Sequence, residues 1–207
     1  MKIVVVNNYK EDEKAKQALS NLTRCTNQPV EMLDYKTKNL TDAVKDRSPD
    51  LVILTGSNYM LSKSDTRTVF QQEIDLVRKL DLPFLGICFG HQLIGSAHGI
   101  TVRDLGETVR AFKDVQLIDR DPIFEGLPST IRVSESHRQA LADVPDGFRH
   151  LAESRTSRVE AIAHRTRPVY GVQFHPERSD DKNPHGRTII QNFVSLVAKS
   201  LRSQYTR

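Results

Sequence analysis

The strongest chemical signal in the sequence is a cysteine set between two glycines, Gly86-Ile87-Cys88-Phe89-Gly90. An apolar run over residues 82–87 precedes it, and the pattern predicts a strand, a sharp turn and then a helix. Small residues on both sides let the backbone turn tightly, so the central side chain stands exposed above the sheet. The N-terminus of the following helix directs N–H groups and its positive dipole end at the sulfur, which favours a thiolate. We therefore predict that Cys88 is a nucleophile and that the N–H of Phe89 is one donor to an oxyanion.

A nucleophilic cysteine needs a base, and the base needs a group that orients it. His175 ends the strand-like run Gly171-Val172-Gln173-Phe174, and Glu177 follows it after Pro176. In an extended chain, positions i and i+2 face the same way, and Pro176 is expected to keep the chain extended. The spacing predicts that Glu177 lies beside His175 and fixes its tautomer. The alternative is a chance His-Pro-Glu sequence on a solvated loop.

An oxyanion needs a second donor. The segment Thr55-Gly56-Ser57-Asn58 follows another apolar run, residues 50–55, so it should lie at the carboxyl edge of the same sheet. We predict that the backbone N–H groups of Gly56 and Ser57 serve the oxyanion hole; otherwise the segment is only a turn that ends a strand.

Both cysteines, Cys25 and Cys88, are expected to be free thiols. Cys25 closes a helical apolar stripe and is interpreted as a small buried hydrophobe, an alternative that the flanking glycines disfavour for Cys88. No metal site is predicted, because Cys88 and His91 lack a second pair of ligands at suitable spacing.

The composition and charge of the chain disfavour several classes of protein. The chain has 207 residues, 38% hydrophobic and 27% charged, which suits one domain with an ordinary surface. The net charge of +4 is spread along a sequence without tryptophan or zinc-finger spacing, so nucleic-acid binding is not expected. The start, MKIVVVNN, looks like a first strand rather than a signal peptide, and no apolar run approaches the length of a membrane span. We expect a cytoplasmic protein that does not bind membranes.

These site residues must be positioned by an α/β fold. Strand-like runs at residues 2–7, 30–35, 50–55 and 82–88 alternate with helical patterns, including residues 11–25 and 65–80. This order predicts a mostly parallel central sheet flanked by helices, a flavodoxin-like three-layer arrangement. In the helix over residues 65–80, Val69, Ile74, Val77 and Leu80 are expected to form one buried stripe.

The second half of the sequence no longer alternates between strand-like and helical patterns. Strand-like runs separated by turns predict an antiparallel extension of the sheet, and an amphipathic helix from residue 186 to about residue 203 closes the chain. The runs cover residues 108–119, 131–136, 148–154, 159–164 and 169–174. Without an internal repeat or a linker-like segment, residues 1–207 are interpreted as a single domain.

The cysteine and histidine segments together resemble the two most specific motifs of the class I glutamine amidotransferases. The matching residues are Gly86-Ile87-Cys88-Phe89-Gly90-His91-Gln92 and Gly171-Val172-Gln173-Phe174-His175-Pro176-Glu177. The resemblance covers nearly the whole chain, and it implies glutamine as substrate. Cys88 would attack the side-chain amide, His175 would protonate the departing ammonia, and water would then hydrolyse the γ-glutamyl thioester.

The resemblance also implies substrate-binding residues. By family position, Gln92 would help to hold the amino-acid end of glutamine, and the backbone near Ser136, His137 and Arg138 would complete the pocket. One departure concerns the oxyanion turn, where the family's usual Ser-Gly-Gly-Pro is replaced by Thr55-Gly56-Ser57-Asn58.

Within the family, the sequence looks most like the separate glutaminase subunit of two-subunit GMP synthases, through residues 118–128 and Glu135-Ser136-His137. Such a subunit would deliver ammonia to a synthetase subunit of the ATP-pyrophosphatase type that aminates XMP, and ATP and Mg would belong to that partner, with no cofactor in this chain. That subgroup commonly has Val-x-His-Thr after His-Pro-Glu, whereas this chain has Arg178-Ser179-Asp180-Asp181. Alternatives are the amidotransferase component of anthranilate or aminodeoxychorismate synthesis, a free-standing γ-glutamyl hydrolase, and a non-catalytic regulatory module.

Overall fold

A computed structural model describes residues 1–205 of the chain. Its strands are β1 (Ile3–Asn7), β2 (Val30–Asp34), β3 (Leu51–Leu54), β4 (Phe84–Ile87), β5 (Val102–Leu117), β6 (Thr130–Leu141), β7 (Phe148–Glu153), β8 (Ala161–His164) and β9 (Val169–Val172). Its helices are α1 (Asp12–Thr26), α2 (Leu40–Asp46), α3 (Ser64–Val69), α4 (Gln71–Lys79), α5 (Phe89–Ala97) and α6 (His185–Tyr205).

All of these strands join one sheet in the order β2-β1-β3-β4-β9-β8-β7-β5-β6. The pairs from β2 to β9 are parallel, and those from β9 to β6 are antiparallel. The predicted α/β fold with an antiparallel extension is therefore confirmed. Because β3, β4 and β9 are neighbours with one direction, the chain segments that leave their carboxyl ends converge at one edge.

The sheet carries a hydrophobic core on each face, as alternation along buried strands requires. On β1, Ile3 and Val5 belong to one core, which also contains residues of α1 and α6. Val4 and Val6 belong to the other, with residues of α2, α4 and α5. Both sides of the parallel strands are thereby held rigidly, and so are the turns at their ends.

The predicted helix over residues 65–80 is broken at Phe70, which ends α3 and begins α4. The Phe70 ring is buried and packs with ring centroids 4.7 Å from both Tyr35 and Phe89. This packing turns the chain, so the predicted stripe was wrong at Val69, whose exposure is 49%. Ile74 and Val77 of α4 are buried as expected.

The fifth strand begins at Val102, earlier than the predicted residue 108. Its pairing with β6 is interrupted between Asp104 and Val109, where Gly106 has a φ of +82°. This irregularity breaks the alternation on which the sequence prediction depended. Among residues 1–205, no helix is long and apolar enough to cross a membrane. The one-domain interpretation of residues 1–207 stays a prediction, and residues 206–207 lie outside the described part.

Candidate active site

Cys88 occupies the turn between β4 and α5 with a φ of +52°, a conformation that is uncommon for a residue with a side chain. Its N–H donates to the carbonyl of Val172 on β9 at 2.8 Å. A Cβ on Gly86 would lie 2.5 Å from the carbonyl oxygen of Gly90. A Cβ on Gly90 would collide with the carbonyl oxygen of Leu54. Both glycines are therefore required by close backbone packing, which holds the thiol at the sheet edge.

His175 and Glu177 form a buried pair just beyond β9. The Nδ1 of His175 and the Oε1 of Glu177 are 2.8 Å apart, and the side-chain exposures are 2% and 5%. The N–H of His175 donates to the carbonyl of Ser134 on β6 at 2.7 Å, which anchors the backbone. The expected extended chain is wrong in detail, because Pro176 begins a 3-10 turn through Arg178. The proline suits the first position of this turn, and the turn folds Glu177 back onto the imidazole.

The charge of this pair is set by burial and by its neighbours. Burial disfavours the imidazolium, but the Glu177 carboxylate and then the Cys88 sulfur outweigh it and raise the pKa of His175 to about 9. Burial also opposes ionisation of Glu177, yet His175 holds the pKa of this carboxyl below its usual value. The arrangement thus supports a negative carboxylate, a protonated imidazole and a nearby sulfur that interacts with it.

Arg178 and Tyr9 border the same pair. The Nε of Arg178 lies 3.5 Å from Glu177 Oε1, and its Nη2 donates to the Tyr9 hydroxyl at 3.1 Å. Burial, followed by the Glu177 charge, raises the pKa of Tyr9, so its hydroxyl stays protonated. The sequence marked Arg178 only as a departure from a family pattern and gave no sign of its contact with Tyr9.

The predicted oxyanion donors lie on this side of the sheet. A Cβ on Gly56 would be 2.7 Å from both His175 Cε1 and the Tyr9 hydroxyl, so the glycine backbone lies directly against the imidazole. The hydroxyl of Ser57 donates to the carbonyl of Asn8 at 2.7 Å, which ties down the side chain. The N–H of Phe89 belongs to the first residue of α5, where helical N–H groups have no partner within the helix. Their role as oxyanion donors stays a prediction.

A cavity of about 220 Å³ opens beside the sulfur. Cys88 lines it together with Ser57, Phe89 and all the predicted substrate-binding positions, Gln92, Ser136, His137 and Arg138. The structure therefore brings these residues together around one small space, which suits a ligand of amino-acid size.

The side chains of His137 and Arg138 are bound to other residues of the protein. The His137 ring contacts Glu135 at 3.2 Å and the carbonyl of Gln139 at 3.0 Å. The Arg138 guanidinium pairs with Asp104 at 2.8 and 3.2 Å. On the same part of β6, the carbonyl of Ser136 accepts from Cys88 Sγ at 3.8 Å.

A match to the family model for glutamine amidotransferase class-I spans residues 4–197. This chain belongs to that family. A glutamine-hydrolyzing GMP synthase subunit of Methanosarcina barkeri is 35% identical over 204 residues, covering 96% of this chain and 98% of that protein. The protein of the same name from Methanosarcina mazei is 36% identical over 201 residues, covering 95% and 96%.

Solved structures give the same fold for this class-I amidotransferase. A Thermoplasma acidophilum protein provisionally assigned as a GMP synthase subunit superposes with a TM-score of 0.84 at 26% identity, covering 99% of this chain and 98% of that chain. A glutamine amidotransferase of Thermotoga maritima has a TM-score of 0.69 at 18% identity, covering 100% and 86%, and supports the fold alone.

Arg110 of this class-I amidotransferase lines the cavity from β5, although its sequence context does not mark it as a site residue. Within residues 1–205 no carboxylate is within ion-pair distance of it, in contrast to Arg138. No sequence signal distinguishes these two arginines, because the pairing of β5 with β6 decides which of them meets Asp104.

One buried cluster of the amidotransferase has the residue types of a metal site. Glu135, His137 and Glu160 place potential ligand atoms within 4.8 Å of one another. Burial, followed by the charge of Glu135, raises the pKa of Glu160 well above its usual value, so this carboxyl keeps its proton. Ser154 donates to Glu160 at 2.7 Å and Thr156 to Glu135 at 2.8 Å. One oxygen of each carboxyl group thus accepts from a protein hydroxyl, whereas Glu135 Oε1 and Glu160 Oε2 have no hydrogen-bond partner within residues 1–205.

Proposed function

We propose that this amidotransferase hydrolyses the side-chain amide of glutamine through a Cys88-His175-Glu177 triad and passes the ammonia to a synthetase that aminates XMP. The observation that carries the proposal is the buried His175–Glu177 pair, 2.8 Å apart, beside a cysteine on a strained turn. A structural cysteine needs neither a polarised base nor a strained backbone.

The chemistry proceeds in two halves. The Cys88 thiolate attacks the amide carbon, and the resulting oxyanion is stabilised by N–H groups of Phe89 and of the turn at Gly56 and Ser57. His175, protonated at neutral pH because of its raised pKa, gives its proton to the leaving nitrogen, and ammonia departs. A γ-glutamyl thioester remains on the sulfur.

Water completes the reaction. The now neutral imidazole takes a proton from the attacking water, and the second tetrahedral intermediate collapses to glutamate and the Cys88 thiolate. Glu177 stays ionised throughout and holds the Nδ1–H of His175, which leaves Nε2 to exchange protons. The cavity positions Gln92 and the backbone of residues 136–138 would hold the amino-acid end of the substrate.

The destination of the ammonia is supported by the relatives. Two of them, both named as subunits of a glutamine-hydrolyzing GMP synthase, match at 35% and 36% identity over at least 95% of either chain. The partner would be an ATP-pyrophosphatase type synthetase, which would bind ATP and Mg, while this chain would need no cofactor. Such a complex would work in the cytoplasm, where nucleotides are made.

The test is a reconstituted reaction. The chain is mixed with a GMP synthase subunit of the synthetase type, XMP, ATP and Mg, and GMP is measured with either glutamine or an ammonium salt as nitrogen source. GMP formation from glutamine should require this chain, and formation from ammonium should not.

Two cysteine variants test whether the glutamine-dependent reaction requires Cys88. Cys88→Ala should abolish only the glutamine-dependent reaction, and Cys25→Ala, the matched control, should retain it. If glutamine is hydrolysed but no GMP forms, and an anthranilate or aminodeoxychorismate synthase component gains activity instead, the XMP assignment is wrong. Absence of any glutaminase activity in every mixture would count against the whole proposal.

A further inference from the structure

The side-chain amide of Gln173 contacts the sulfur of Cys88. Gln173 lies between β9 and His175, and its Nε2 is 3.6 Å from Cys88 Sγ. The Gln173 side chain is completely buried, and its Oε1 accepts from Gln92 Nε2 at 3.1 Å. The triad chemistry leaves Gln173 without a role.

The orientation of both amides is fixed by a backbone carbonyl. Gln92 Nε2 also donates to the carbonyl oxygen of Gln139 at 2.9 Å, and a carbonyl oxygen can only accept. The atom of Gln92 at this position must therefore be nitrogen, and the Gln173 atom that faces it must be oxygen. The remaining end of the Gln173 amide, which faces the sulfur, is then a pair of N–H donors.

We propose that Gln173 is a further catalytic residue, whose amide N–H donates to the Cys88 thiolate, with Gln92 acting as the positioning residue that holds Gln173 in that orientation. This inference rests on the proposed function to the extent that Cys88 is the nucleophile. A buried N–H donor stabilises the anionic sulfur over the neutral thiol, because a thiolate is the stronger acceptor.

Two groups of the protein contact the Cys88 sulfur from different directions. The carbonyl of Ser136 accepts a hydrogen bond from Cys88 Sγ at 3.8 Å, which suits the neutral thiol. Gln173 favours the ionised form from another direction. A substrate amide that approaches through the cavity would thus meet a sulfur whose charge is stabilised by Gln173 and by the His175 imidazolium.

The experiment measures reactivity of the sulfur without glutamine turnover. The rate at which iodoacetamide alkylates Cys88 is followed by peptide mass spectrometry across pH 5 to about pH 9.5, the range in which thiolates form. Two variants are compared with the unmodified chain. Gln173→Met removes the donor with little change in volume, and Gln173→Glu keeps the acceptor for Gln92 but places a carboxylate oxygen at the sulfur.

For Gln173→Met, the alkylation rate at neutral pH should fall roughly tenfold, since one hydrogen bond to a charged group contributes about 1.5 kcal/mol or more. The pH of half-maximal rate should move upward. Gln173→Glu should show a larger loss of rate, because two negative groups would adjoin. The exposed Gln71→Met on α4 serves as the control and should alkylate like the unmodified chain.

Folding is checked by circular dichroism and thermal unfolding of each variant. Unchanged alkylation rates and pH dependence in either Gln173 variant, when that variant is folded, would overturn the proposal. Because iodoacetamide needs no amidotransferase chemistry, this result is separate from the fate of the proposed function. A chain that fails to hydrolyse glutamine would still report whether Gln173 acts on the sulfur.

Discussion

Glu177 lies 2.8 Å from His175 Nδ1, and against the opposing effect of burial this carboxylate is the foremost cause of the rise in the pKa of the imidazole to about 9. Replacing Glu177 with Gln keeps an oxygen acceptor for the Nδ1–H but removes the charge. We therefore expect the pKa of His175 to fall and glutaminase kcat to drop by about 100- to 10,000-fold, the range that general acid–base catalysis contributes. Histidine ¹⁵N NMR titration and steady-state kinetics measure the two effects, and an unshifted titration with unchanged kcat would contradict this account.

The same pair makes a pH-dependent contribution to stability. The folded pKa of His175 is raised above the ordinary value of 6.5, so the contribution is complete below about pH 6.5 and is lost as the pH rises through about 9. The difference in unfolding free energy between the unmodified chain and Glu177→Gln should accordingly shrink from pH 6 to about pH 10. Denaturant titrations over this range test it, and a difference that grows with pH would have the wrong sign.

The absence of a side chain at Gly56 leaves room for the His175 imidazole, which gives a testable prediction. A Cβ at this position would lie 2.7 Å from His175 Cε1, so Gly56→Ala must displace the imidazole or the turn. We expect kcat to fall at least about tenfold, as a misplaced catalytic group does. Gly126→Ala is the control, because a Cβ there meets nothing within 4 Å although its φ of +77° is strained for alanine. Equal kinetic losses in both variants would point to general destabilisation instead.

The sequence predicted which residues meet at the sheet edge better than it predicted the local backbone that joins them. Cys88, Gly86 and Gly90 were predictable because a tight strand–helix turn demands small residues at fixed positions. The 3-10 turn at Pro176 was not, since a proline suits both an extended chain and the first residue of a helical turn.

Long-range contacts explain the other misses. Phe70 breaks a helix whose local pattern is continuous, because its ring packs between Tyr35 and Phe89 from distant parts of the chain. The role of Gln173 depends on a carbonyl of β6 that orients Gln92. Neither relationship leaves a local signal in the sequence, whereas the parallel strands appear as continuous apolar runs because they are buried on both faces.

The two arginines of the cavity should behave differently. Arg110 lines the cavity without an ion-pair partner among residues 1–205, and Arg138 is held by Asp104 at 2.8 Å. If Arg110 meets the substrate carboxylate, Arg110→Ala should raise KM for glutamine roughly tenfold, since a hydrogen bond to a charged group contributes about 1.5–3 kcal/mol. Arg138→Ala should have the smaller effect on KM. Steady-state kinetics decide, and the reverse order would contradict the assignment.

Glu160 makes a second pH-dependent contribution to stability, which also falls as the pH rises. Burial and then the charge of Glu135 raise its pKa well above the usual 4.5, so its contribution is present below about pH 4.5 and is lost as the pH rises toward the folded pKa. Glu160→Gln does not titrate and keeps an N–H for Glu135. Relative to the unmodified chain, this variant should gain stability between pH 5 and about pH 8 in denaturant unfolding. A relative loss over that interval would refute the retained proton.

The most direct test of the proposed nucleophile is covalent labelling with diazo-oxo-norleucine, an electrophile that resembles glutamine. Cys25 is the internal control, because it is also buried and free but its sulfur contacts the Glu177 carbonyl and the Ser179 hydroxyl rather than the cavity. Peptide mass spectrometry should find the label on Cys88, absent from Cys25, and suppressed by excess glutamine. Labelling of Cys25, or of neither cysteine, would contradict the central claim that Cys88 attacks the glutamine amide.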